Sequence, residues 1–140
     1  MTELKFVEIE PAPLERFRPL LEERFEQIEQ AAAEARRTFG ERRIWHVNST
    51  AQGGGVAEML RALLPYVCGV GVDTRWVVLP EADGFFAVTK RIHNQLHGHG
   101  GDGALDDRAR AAYEAALRPS ADELGRLVRR GDVVYLHDPQ

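Results

Sequence analysis

A single cysteine, Cys68, among 140 residues excludes an internal disulfide. It falls near the end of an apolar helical stretch and reads as a small core residue rather than a nucleophile. No apolar run approaches the roughly 20 residues that a membrane-crossing helix needs. The opening Met-Thr-Glu-Leu-Lys-Phe-Val-Glu has no basic segment followed by an apolar one, so a secretory signal is not expected. The cytoplasm is then the default location. Basic excess is missing as well: 18 Lys and Arg against 22 Asp and Glu leave a net charge of −4. That balance argues against a general binder of nucleic acid or anionic membrane. What remains is 44% hydrophobic and 29% charged, the composition of a globular chain long enough for one domain with a real core.

The chain is organised around Ile44 to Leu64, Ile-Trp-His-Val-Asn-Ser-Thr-Ala-Gln-Gly-Gly-Gly-Val-Ala-Glu-Met-Leu-Arg-Ala-Leu-Leu. It reads as an apolar strand, a glycine turn and an amphipathic helix. Gly53, Gly54 and Gly55 let the backbone turn tightly and approach a ligand with no Cβ between them. The helix that follows starts with unpaired N–H groups and a partial positive charge, which suits an anion. The alternative is a tight turn needed only for packing. The turn is neither a G-x-G-x-x-G fingerprint, since Glu58 stands at the third position, nor a P-loop, since no Lys-Ser or Lys-Thr follows at the required offset.

Leu4 to Ile9 reads as a short strand or an extended arm, broken by Pro11 and Pro13. Leu14, Phe17, Leu21, Phe25, Ile28, Ala32, Ala35 and Phe39 recur at three- and four-residue steps and predict one helix, ended at Gly40, that packs on the domain or on a partner. Pro19 marks a candidate start for it. After the glycines, Val56, Leu60, Leu63, Leu64 and Val67 share a face, with Pro65 expected to kink or end the helix. Thr74 to Leu79 is the second core strand, which completes a βαβ unit. Asp83 is the expected cap of a helix burying Phe85, Val88, Ile92 and Leu96. A helix over Leu105 to Leu117 is expected to stop before Pro119. Ser120-Ala-Asp-Glu123 then reads as a capping box, and Gly131 as a C-terminal cap. Asp132 to His137 is the third core strand, its apolar run suited to burial on both faces. Three core strands are few for a doubly wound sheet, so a half-domain of something longer is expected.

His137 and Asp138 stand at the end of that strand, where ligands of open α/β sheets bind. They read either as binding or catalytic groups or as a His–Asp hydrogen bond that finishes the strand. His46 reads as a satisfied core histidine. His93, His97 and His99 lack the H-E-x-x-H pattern, so no metal site is expected. Ser49 lacks the G-x-S-x-G elbow, and no paired carboxylates of glycosidase type stand out.

The run Trp45-His-Val-Asn-Ser-Thr-Ala-Gln-Gly-Gly-Gly-Val-Ala-Glu58 resembles the start of trehalose synthases of the glycosyltransferring type, and trehalose phosphorylases look similar here. The resemblance continues through Arg75-Trp-Val77, Phe85-Phe-Ala-Val-Thr-Lys90, His93-Asn-Gln-Leu-His-Gly98 and Val134-Tyr-Leu-His-Asp-Pro-Gln140. It implies a retaining glycosyltransferase of GT-B architecture, an α/β fold with a Rossmann-like, mainly parallel sheet flanked by helices. Residues 1–40 would form an N-terminal arm and helix, and 41–140 the N-terminal Rossmann-like domain, with the nucleotide-binding domain absent. The implied partners are a sugar and a nucleotide-sugar, nucleotide-glucose being a substrate and no cofactor being required. The resemblance also implies that Gly53, Gly54 and Gly55 lie near the donor phosphates and that His137 and Asp138 are catalytic. Asn48, His93, Asn94 and Gln140 would border the acceptor sugar. Such a piece is expected to be inactive alone. The alternatives are a phosphorylase half-domain, or a sugar-binding or structural module whose Leu14–Phe39 helix pairs two copies.

Overall fold

A computed structural model describes residues 4–80, 84–100 and 103–137. The elements, in order, are β1 (Lys5–Val7), α1 (Arg18–Leu21) between two 3-10 turns, α2 (Phe25–Phe39), β2 (Ile44–Asn48), α3 (Gly55–Gly69), β3 (Thr74–Val78), α4 (Phe85–Leu96), α5 (Asp107–Leu127) and β4 (Val133–Leu136). The sheet order is β1-β3-β2-β4. β2 pairs in parallel with β3 on one side and β4 on the other, and β1 adds antiparallel to the outer side of β3. This is a Rossmann-like α/β arrangement.

Alternation along β2 divides its side chains between two cores. Trp45 and Val47 join Leu4 and Val77 in a cluster against Leu124, Leu127 and Val128 at the end of α5. On the opposite face Trp76 and Val78 pack with Ala57, Leu60 and Leu64 of α3. The sheet is therefore covered on both sides, as parallel strands require.

The predicted Leu14–Phe39 helix is broken. A 3-10 turn, α1 and a second 3-10 turn precede α2, and Glu22 at the corner has φ of 45°. The apolar stripe must reach two surfaces: Phe17 packs on Tyr66 at 4.8 Å between centroids, whereas Phe25 is buried in a cleft shared with Gly69 and Val70. Neither internal proline ends its helix. α3 runs through Pro65 and α5 through Pro119. Each proline removes one N–H donor, leaving the carbonyls of Arg61 and Ala115 on exposed residues, and the packing on either side outweighs the loss.

The capping box is accordingly not used. Ser120 is buried mid-helix, and Glu123 instead accepts a hydrogen bond from the Leu4 amide at 2.9 Å, tying the N-terminal arm to α5. The cap of α5 is Asp106, which accepts from the Ala109 amide at 2.8 Å. Gly131, with φ of 96°, lies in the turn before β4 rather than at the end of α5. Leu96 is exposed, and Thr89 takes the inward position beside Val88. Asp83 lies outside the described residues; Gly84 precedes α4. β4 is parallel as expected but, among the described residues, is an edge strand: Val134, Tyr135 and Leu136 are exposed.

Two contacts hold the frame at its amino-terminal end. Ala12 donates its amide to the Pro65 carbonyl at 2.8 Å, laying the arm across α3 so closely that a Cβ on Gly69 would stand 2.0 Å from the Ala12 oxygen. Gly69→Ala should therefore displace the arm and lower stability by about 1–3 kcal/mol, measured by urea denaturation, with faster amide exchange at Ala12. Unchanged exchange at Ala12 would refute the close approach.

The second contact is Asp132. Its carboxylate accepts from the amides of Arg43 and Arg129 at 2.9 Å each and from Trp45 Nε1 at 3.0 Å. These hydrogen bonds, led by that of Arg43, lower its pKa to about 2 from an ordinary 3.8. Because the folded value is depressed, the stabilisation is complete above pH 4 and lost as pH falls toward 2. Asp132→Ala should cost about 2 kcal/mol at neutral pH and flatten the acid limb of the stability profile over that window. An acid limb identical to that of the parent would contradict this.

Candidate functional site at the carboxyl edge of the parallel strands

Parallel pairing brings the ends of β2, β3 and β4 to one edge. The Leu79 amide donates to the Asn48 carbonyl at 3.0 Å and the His137 amide to the Val47 carbonyl at 2.8 Å, continuing both ladders past the last strand residues. Loops leaving the strands at this edge form the candidate site.

The glycine turn follows β2 directly. Gly53 and Gly54 have φ of 73° and 82°, a left-handed region that side chains rarely adopt. A Cβ on Gly53, Gly54 or Gly55 would meet nothing within 4 Å, so backbone angle rather than crowding calls for the first two, and the space above all three is open. Gly54 precedes α3 with no side-chain cap, and the first backbone bond there is from Glu58 to the Gly54 carbonyl. The amides of Gly55, Val56 and Ala57 thus have no partner within the helix. Glu58 in the first turn offsets part of the positive end of the helix.

Asn48 holds this turn from beneath. It is buried, its Oδ1 accepts from Trp76 Nε1 at 2.7 Å, and its Nδ2 donates to the Thr50 carbonyl at 2.6 Å. Thr50 in turn bonds Gln52, its hydroxyl donating to the carbonyl at 2.6 Å and accepting from the amide at 3.1 Å. The core tryptophan and the loop are therefore linked through one carboxamide.

His137 meets His46, a residue that sequence reasoning assigned to the core. His46 Nδ1 and His137 Nε2 are 2.9 Å apart, and the rings are within 10° of parallel. Tyr135 stacks on His46 at 5.3 Å between centroids. Burial, reinforced by the nearby His137, lowers the pKa of His46 to about 4, so it is neutral at physiological pH. The sequence shows only the two-residue spacing of Tyr135 and His137; the parallel pairing makes His46 the register partner of Tyr135 and so brings it to His137.

His93 on α4 and His97 just past its end are exposed, their rings stacked at 4.3 Å, and Asn94 is half-buried on α4. The structure joins none of these three to the His46–His137 pair by a described contact. Asp138 and Gln140 lie outside the described residues. Among the described residues, no group of three or more His, Cys, Asp or Glu is placed to hold a metal ion. No helix among them is long and apolar enough to cross a membrane. A cleft of about 700 Å³ beneath the N-terminal arm, bounded by Glu8, Arg16, Arg61, Tyr66 and Trp76, contains none of the candidate residues.

Residues 46–140 match the family model described as the N-terminal domain of trehalose synthase. The chain belongs to that family. The match begins at His46 and takes in the glycine turn and every strand-end residue named above. Among curated relatives, a trehalose synthase of Rubrobacter xylanophilus is 41% identical over 98 residues, covering 70% of this chain and 23% of that protein. One from Thermococcus litoralis is 40% identical over 95 residues, covering 68% and 22%. A trehalose phosphorylase of Pleurotus pulmonarius is 39% identical over 105 residues, covering 70% and 14%. The chain thus spans less than a quarter of the length of these relatives.

Removing the Asn48 carboxamide should loosen the turn without touching its glycines. Asn48→Ala leaves Trp76 Nε1 buried without an acceptor, a cost of about 1–3 kcal/mol. Amide exchange at residues 50–54 should accelerate more than exchange in α4. Equal acceleration in both would show that the carboxamide does not brace the loop.

Proposed function

We propose that this chain is the acceptor-side portion of a retaining glycosyltransferase that joins glucose from a nucleotide-glucose donor to glucose, giving trehalose. The carrying observation is the open glycine turn at the start of α3, set at the same sheet edge as His137. Family membership and the trehalose synthase names of its relatives support the substrate class. In this reading the amides around Gly53, Gly54 and Gly55 stabilise charge that grows on the diphosphate as the anomeric C–O bond breaks. The leaving diphosphate takes the electron pair. The acceptor hydroxyl adds to the same face of the sugar and passes its proton to the departing diphosphate. His137 and Asp138 border the acceptor glucose, with His93, Asn94 and Gln140 at its margin, while Asn48 serves by holding the turn. Residues 41–140 form the N-terminal Rossmann-like domain, and residues 1–40 the arm and amphipathic helix that precede it. The nucleotide-binding half is supplied by further sequence or by another chain.

The relatives named trehalose phosphorylase support a second reading, in which the same turn faces inorganic phosphate and the reaction releases glucose 1-phosphate from trehalose. Titration of the isotope-labelled chain with glucose, nucleoside diphosphate and inorganic phosphate separates the possibilities. The expected result is that nucleoside diphosphate shifts the amides of residues 53–57 and glucose shifts the strand-end residues. Preference for inorganic phosphate favours the phosphorylase reading. No shift at this edge with any of them overturns both. The chain alone, given glucose and nucleotide-glucose, is expected to form no trehalose, and trehalose formation would contradict the assignment to an acceptor half.

A further inference from the structure

We infer that His46 is a positioning residue: it accepts a hydrogen bond from His137 and so fixes His137 in its Nε2–H tautomer, leaving Nδ1 as the nitrogen that meets a ligand hydroxyl. The geometry gives the pair one bridge, His46 Nδ1 to His137 Nε2, at 2.9 Å. A bridge between two neutral imidazoles has two possible polarities, and each fixes both rings. If His137 donates from Nε2, His46 accepts at Nδ1 and carries its own proton on Nε2. Both rings are then Nε2–H tautomers, the commoner form of a free neutral histidine side chain. If His46 donates from Nδ1, both rings must be Nδ1–H, the rarer form. The first polarity therefore places neither ring in its less stable form.

Packing points the same way. His46 packs against both the Tyr135 ring of β4 and the His137 ring that follows that strand, and burial there disfavours the charged form of His46. With this polarity His137 Nδ1 is the acceptor nitrogen of the pair that the bridge does not use. The inference that this nitrogen meets a sugar hydroxyl rests on the function proposed above. The polarity of the bridge does not.

The test is nitrogen–proton correlation NMR on the chain labelled with ¹⁵N-histidine, with the five histidines assigned by single substitutions. The expected pattern for both His46 and His137 is a pyrrole-like Nε2 and a pyridine-like Nδ1 at neutral pH. Two pyridine-like Nε2 signals would reverse the bridge and overturn the inference. His46→Asn, whose side-chain oxygen stands near the lost Nδ1, should keep His137 in one tautomer. His46→Phe keeps the stack on Tyr135 but removes the acceptor, and should return His137 to a mixture of tautomers. An unchanged single Nε2–H tautomer in His46→Phe also overturns the inference. If His46→Phe does not fold, the parent pattern and His46→Asn still decide the question. A glucose titration followed at His137 Nδ1 separates the two claims. Correct polarity with no response to glucose removes the sugar role and leaves the bridge intact.

Discussion

β2 is paired in parallel on both edges, and the rest of the structure follows from that constraint. A strand with neighbours on either side has no solvent edge, and parallel neighbours require crossovers that cover the sheet faces. α3 supplies one cover and α5 the other. Leu60 and Leu64 of α3 are almost fully buried, and truncating such a residue to alanine typically costs about 2–5 kcal/mol. The N-terminal arm adds a further layer of restraint, through β1 beside β3, Leu4 bonded to Glu123 and Ala12 bonded to Pro65.

The same pairing aligns the carboxyl ends of three strands, and there polar groups replace apolar ones. Trp45 and Val47 face α5, whereas His46 and Asn48 point to the α3 side. Asn48 is buried yet bonded through both ends of its carboxamide, so burial of a polar group is compensated rather than costly. His46 is half-buried against two rings of the neighbouring strand. One face of one strand thus carries both the brace for the glycine turn and the partner for His137. Order at the edge is inherited from the core through side chains of β2 itself.

Features set by local pattern were legible in the sequence, and those set by distant packing were not. The strands at Ile44, Thr74 and Val133 and the helix after the glycines followed from apolar periodicity and glycine placement. Pro119 was misread, and Pro65 does not end its helix, because a missing donor is a local cost, whereas the gain that offsets it comes from Trp76 and Val78 below α3 and from Leu4 and Trp45 below α5. The capping box failed because Glu123 found a partner 119 residues away. The apolar run of β4 promised burial on both faces, but exposure is set by neighbours and β4 has one strand neighbour among the described residues. Within the site, the glycine turn was visible as composition. The His46–His137 bridge needed the parallel register, which no spacing in the sequence contains.

Magnitudes bound what the described edge can do. A helix start stabilises a negative group by about 0.3–1 kcal/mol when exposed and up to about 2 when partly buried. Glu58 in the first turn of α3 reduces that further. Enzymes lower activation barriers by about 8–23 kcal/mol relative to the uncatalysed reaction. Under the function proposed above, the turn would orient and partly neutralise a departing diphosphate, and most of its stabilisation would have to come from cationic groups outside the described edge. The exposed turn at Gly53 to Gly55 leaves space on that side for them. If this edge belongs to an acceptor half, as proposed, so weak an anion site would let it hold a sugar without trapping a charged product.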